Sequence, residues 1–105
     1  NLVLGINSYA ITNGGVLVHW QWGNFQLANA DDEIVISAPS GLEVARMAWT
    51  ASFPVSPGVS SMLDGGVTNG SSAQDPANWC LSTMAPVFGS GDQGTPGAFN
   101  PVCPP

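Results

Sequence analysis

The sequence predicts a single all-β domain. Runs of Val, Ile, Leu, Trp and Thr are short and are broken by Gly, Asn or Pro clusters about every 8 to 12 residues, as strands and turns alternate in an all-β chain. With 44% hydrophobic but only 8% charged residues, the chain is too apolar for a disordered tail and too poor in Lys, Arg and Glu for a helical bundle. Its 105 residues limit it to one core, with little room for an enclosed catalytic cavity.

Five strands are expected: Leu2 to Gly5, Val16 to Trp22, Glu33 to Ser37, Glu43 to Trp49 and Val59 to Leu63. In VLVHWQW, alternation places Val16, Val18, Trp20 and Trp22 on one face and Leu17, His19 and Gln21 on the other, and the first set is the core or interface face. Ile34 and Ile36 extend that apolar set. In EVARMAW, alternation sets Val44, Arg46 and Ala48 against Glu43, Ala45, Met47 and Trp49, with Arg46 facing solvent. Pro39, Ser40 and Gly41 supply a hairpin turn in which Gly41 takes positive φ, so Glu33 to Trp49 is a hairpin. Pro54 and Pro57 bar inner strand pairing, and the chain crosses there to another sheet or edge.

From Asp64 onward turn formers dominate, apart from NWCLST, which reads as one last short strand or ledge. The ending FGSGDQGTPGAFN reads as a strap laid over the strands, with Trp79, Phe88 and Phe99 as its anchors. Cys80 and Cys103 lie outside any Cys-x-x-Cys pair and away from His19, the single histidine, so a disulfide is preferred to a zinc site. Such a bond places the chain in an oxidising compartment; the alternative is a buried Cys80 thiol. The chain opens at NLVLG without the basic start of a leader, and a leader is read as removed or not included.

One basic residue, Arg46, stands against seven acidic ones, for a formal charge of −6. Phosphate backbones and anionic lipids are held mainly by Lys and Arg, so nucleic acid is excluded as a partner, and so is an anionic membrane surface. No apolar run reaches the roughly 18 to 20 residues of a membrane span. Cations, neutral glycans and other protein surfaces remain.

Three blocks carry a resemblance: FQLANADDEI at Phe25 to Ile34, NWC at Asn78 to Cys80, and GSGDQGTPGAFN at Gly89 to Asn100. In this order they resemble the bacterial lamin-tail domain family, over nearly the whole chain. The resemblance implies an immunoglobulin-like β-sandwich of secreted and surface proteins over residues 1–100, with 101–105 as tail or linker. It matches the C-terminal two thirds of such a domain, and the expected N-terminal strands have no counterpart. The missing cover then comes from a longer polypeptide or, by strand donation, from a neighbouring chain.

Several constellations invite chemistry. Asp31, Asp32 and Glu33 form a carboxylate cluster, but adjacent positions cannot flank a glycosidic bond, and the spaced oxygens of a calcium loop are lacking. They read as a polar turn, with calcium as the alternative. GSGDQGTPG lacks the lysine and following helix of a phosphate cradle; Asp92 bonds to its own turn there, while Thr95 opens a second turn. His19 is an outward side chain with no serine or carboxylate to complete a triad. The expectation is a non-catalytic adhesion, tethering or self-assembly module needing no cofactor, its partners being other protein chains in a homo-oligomer or filament. A carbohydrate- or calcium-binding module is the alternative.

Overall fold

Turn chemistry decides where the strands begin and end. The computed structural model describes residues 1–83 and 85–105. Among them are eight short strands and two single-turn 3-10 helices, so the chain is all-β with almost no helix. The strands pair as four separate two-stranded ladders. β1 (Leu4–Gly5) runs parallel to β2 (Trp20–Gln21), β3 (Asp32–Ser37) antiparallel to β4 (Glu43–Trp49), β5 (Ser61–Leu63) antiparallel to β6 (Trp79–Leu81), and β7 (Val87–Phe88) antiparallel to β8 (Asp92–Gln93).

The β3–β4 hairpin forms as the sequence predicts. Gly41 has φ of 86°, and the turn closes through Ala38 N–H on the Leu42 carbonyl (2.8 Å) and Gly41 N–H on the Ala38 carbonyl (2.9 Å). Glu43 departs from the alternation. Ile36 pairs with Ala45 but Ser37 pairs with Glu43, which leaves Val44 as the extra residue of a β-bulge. The bulge brings Glu43 onto the face of Arg46 instead of the opposite one. Arg46 then reaches both Glu43, at 2.9 Å from Nη2, and Glu33 across the ladder.

The predicted strand Val16 to Trp22 shrinks to its last third. The Asn13 carboxamide accepts from Val16 N–H (3.0 Å) and donates to the Val16 carbonyl (2.9 Å), so that residue's backbone is closed to strand pairing. Gly14 and Gly15, both at positive φ, turn the chain just before it. Exposure alternates along this run, with Val16, Val18 and Trp22 half-buried and Leu17, His19 and Gln21 exposed. Trp20 departs from the alternation, at 57% exposure. Leu2 to Gly5 shortens to Leu4–Gly5, and Val59 to Leu63 to Ser61–Leu63.

The packed centre lies in the second half of the chain. Phe53, Met62 and Ala85 are its buried apolar residues, and Ser82 is fully buried beside them. The Ser82 hydroxyl lies 2.9 Å from the Ser60 carbonyl, 3.0 Å from the Gln93 carbonyl and 2.8 Å from Ser60 Oγ, joining the β5–β6 and β7–β8 ladders. Trp79 sets its edge against Phe53 at 5.7 Å and donates to the Ala73 carbonyl (2.8 Å).

The C-terminal strap is pinned by the expected disulfide and by polar side chains that the sequence reading did not name. Cys80 and Cys103 are bonded, with Cα atoms 5.9 Å apart. The Asp64 carboxylate accepts from Cys103 N–H and from Gly66 N–H, both at 2.7 Å. Asn100 donates to the Leu63 carbonyl (2.9 Å) and accepts from the Thr95 hydroxyl (2.7 Å). Phe88 is half-buried, whereas Phe99 is 89% exposed and anchors nothing. The residue follows directly on a turn in which Ala98 N–H bonds the Thr95 carbonyl (3.0 Å).

The accessible surface is 7094 Å². A monomer of 10.8 kDa exposes about 5,500 Å², so about 1,500 Å² is surplus. The radius of gyration, 14.1 Å, likewise exceeds the roughly 13 Å of a tightly packed domain of this length.

Candidate functional site

An apolar groove of about 630 Å³ opens on the surface. One wall is the face of the β3–β4 hairpin that carries Ile34, Met47 and Trp49, residues that alternation and the ladder register place together. The other wall is the stretch from Phe53 to Val59, kept out of the strands by Pro54 and Pro57 and folded into a tight turn in which Val59 N–H bonds the Ser56 carbonyl (3.2 Å) and Gly58 takes positive φ. Trp79 lies at the junction, against Phe53. The hairpin is held over the groove by two tethers. Trp49 Nε1 donates to the Ala28 carbonyl (2.8 Å), and the Gln74 carboxamide bonds to Arg46 and Ala48 on the outer edge of β4.

Besides the indoles of Trp49 and Trp79, Asn29, Ser56 and Ser61 are the polar side chains in the lining among the described residues. Ser61 Oγ is turned back onto the Pro54 carbonyl. A lining of this kind is complementary in chemistry to apolar side chains. The opposite face of the hairpin is charged: Glu43 grips Arg46 through two bonds of 2.9 Å and Glu33 meets the same guanidinium. The hydrogen bond from Arg46 lowers the Glu43 pKa, and those to Glu43 and Glu33 raise that of Arg46. All three groups are exposed, so the pairs orient side chains more than they stabilise the fold.

The cluster Asp31, Asp32 and Glu33 does not converge on one point. Asp32 accepts from Ala28 N–H (2.9 Å) and Glu33 N–H (2.8 Å), the role of a turn carboxylate, and those bonds lower its pKa. Glu33 turns to Arg46 and Asp31 is exposed. The carboxylate of Asp92, expected to bond within its own turn, accepts no hydrogen bond among the described residues; Asp92 sits in β8 and lines a polar depression with Asn13 and Ser90. His19 Nδ1 accepts from Val3 N–H (3.1 Å), locking β1 beside β2. Trp22 stacks on Phe25 with ring centres 5.0 Å apart, leaving Phe25 48% exposed. Ile36, the last of the predicted apolar face, lies on the groove side of β3, beyond the lining.

No family model, curated protein or solved structure matches the chain. Geometry therefore carries the assignment of the site. Gln74 and Asp64 were not singled out in the sequence. Asp64 precedes two glycines, a turn signal that fits its bond to Gly66, but its reach to Cys103 and the placement of Gln74 have no local signature.

Proposed function

We propose that this chain is a non-catalytic extracellular module that adheres, tethers or assembles by packing an uncovered β surface against other protein chains. The observation that carries this reading is the apolar groove between the hairpin and residues 53–59, on a molecule with about 1,500 Å² of surplus surface. One partner contributes roughly 800 Å² to a standard stable interface, so the surplus is sufficient for one. Low charge favours the same use, because few ions need compensation on burial. In the finer form of the proposal the four ladders belong to an immunoglobulin-like sandwich of lamin-tail type, closed by polypeptide outside residues 1–105. The Cys80–Cys103 bond supports a secreted or surface location, and no described helix is long and apolar enough to cross a membrane.

A second reading, a carbohydrate-binding module, draws on Trp20 and Phe25, which expose 57% and 48% of their surface. Sedimentation velocity separates the two. Under the assembly reading the isolated chain gains mass with concentration, and Met47→Glu, which places a charge in the groove, suppresses that gain. A chain that stays monomeric at every concentration, while its tryptophan fluorescence saturates with a soluble polysaccharide, would reverse the order of the two readings.

A further inference from the structure

The two outer edges of the β3–β4 hairpin differ. On β4 the outward groups are the Arg46 carbonyl and the Ala48 N–H, and the Gln74 carboxamide takes both: Nε2 donates to the carbonyl at 2.8 Å and Oε1 accepts from the N–H at 3.2 Å. A carboxamide placed this way substitutes for the peptide group of a neighbouring strand, so this edge is closed. On β3, Val35 stands opposite Arg46 and Glu33 opposite Ala48, so their backbone groups also point away from the ladder. The bond from Ala38 N–H to Leu42 keeps that alternation and leaves Ser37 outward. Glu33 N–H is taken by the Asp32 carboxylate at 2.8 Å. Among the described residues, the Val35 N–H and carbonyl, the Glu33 carbonyl and the Ser37 N–H have no partner.

The geometry points to β3 as the edge at which a second copy of this chain pairs, its own β3 antiparallel across a two-fold axis at Val35. The product is a four-stranded sheet in the order β4, β3, β3, β4. Self-complementarity selects the second copy as occupant. With the axis at Val35, Val35 faces Val35, Ile34 faces Ile36 on the groove side, and Glu33 faces Ser37, so no like charges meet. Each Val35 then exchanges both backbone bonds with its copy, and each Ser37 N–H reaches a Glu33 carbonyl. A groove of about 390 Å³ opens beside Asp32 to Val35, with Phe25 to Leu27 as its other wall. The surplus of about 1,500 Å² exceeds the roughly 800 Å² per partner that a stable dimer needs. Because Gln74 closes β4, the sheet ends at four strands and the product is a closed pair, not a filament. This inference rests on the assembly reading and narrows it.

The test combines sedimentation velocity with mild oxidation of single-cysteine variants that keep the native Cys80–Cys103 bond. The wild-type chain is expected to move from 10.8 kDa to twice that mass with concentration. Val35→Cys is expected to cross-link to itself, since facing Cα atoms in such a pair lie about 5.5 Å apart. Ser37→Cys is not, because its copy lies four positions away in the register. Gln74→Ala, by opening β4, is expected to yield species larger than a dimer. Association of the wild type with no preferential cross-linking at Val35 overturns β3 pairing and leaves the assembly reading standing; a chain monomeric at its highest soluble concentration overturns both. Hydrogen exchange of the Val35 amide in the unmutated chain guards against misfolded variants. Slower exchange at high concentration is expected, and exchange independent of concentration overturns the pairing.

Discussion

Replacing Cys80 and Cys103 together by serine is expected to lower stability by about 3 kcal/mol. The bond closes a loop with a sequence separation of 23. The chain-entropy relation for that length gives about 11 cal/mol/K, or about 3.4 kcal/mol at 25 °C, released to the unfolded ensemble when the link is removed. The folded tail keeps other attachments: Cys103 N–H on Asp64, Gly65 N–H on the Pro101 carbonyl at 3.0 Å, and Asn100 on the Leu63 carbonyl. The native state therefore changes little, and the effect belongs to the unfolded state. With Phe53, Met62 and Ala85 as the buried apolar residues, total stability should lie near the lower end of the roughly 5 to 15 kcal/mol usual for domains. A loss of that size is then a large fraction of the whole. Urea unfolding followed by tryptophan fluorescence reads it directly, since Trp79 packs on buried Phe53. For a slope of about 1.5 kcal/mol/M the midpoint falls by about 2 M, in the double variant and in the reduced wild type alike. A fall below about 0.5 M in both would refute the loop-entropy reasoning.

Two further outcomes follow from single contacts. A Cβ at Gly65 would overlap the Asn100 carbonyl oxygen and come within 3.0 Å of the Pro101 carbonyl carbon, both backbone atoms, so Gly65→Ala should lower the thermal midpoint by the equivalent of about 1–3 kcal/mol. Gly70→Ala, with nothing within 4 Å, is the control, and equal effects would refute the close-approach argument. Asp32 has its folded pKa lowered by the N–H groups of Ala28 and Glu33. A depressed folded pKa contributes stability above the ordinary aspartate value, lost as pH falls below about 4 through the folded value. An NMR titration should place the Asp32 midpoint below the usual aspartate range; a midpoint within or above it contradicts those hydrogen bonds.

Local chemistry made part of this molecule legible. The β3–β4 hairpin follows from two apolar runs around Pro39, Ser40 and Gly41, and the two prolines of FPVSPG mark the crossing beyond it. Asp32 behaves as the turn carboxylate that its neighbours imply. The cysteine pairing agreed with the structure for an equally simple reason, since the chain holds two cysteines with no other ligands near them. What escaped was competition between backbone and side chains. Asn13 occupies the backbone of Val16 and ends a strand that the alternation of VLVHWQW extends. The bulge at Val44 moves Glu43 to the other face, and period-two reasoning has no means to foresee an inserted residue.

The amino-acid order by itself determined the class of structure, the site of the main hairpin and the want of cations, because each depends on residues that are near neighbours or simply few. Only the tertiary structure decided which apolar side chains lie uncovered, and that Gln74 closes one sheet edge while β3 stays open. Those outcomes depend on segments more than 20 residues apart meeting in space, as Gln74 does with Arg46 and Ala48. A carboxamide seals a strand edge through its position alone, and no local pattern encodes that position.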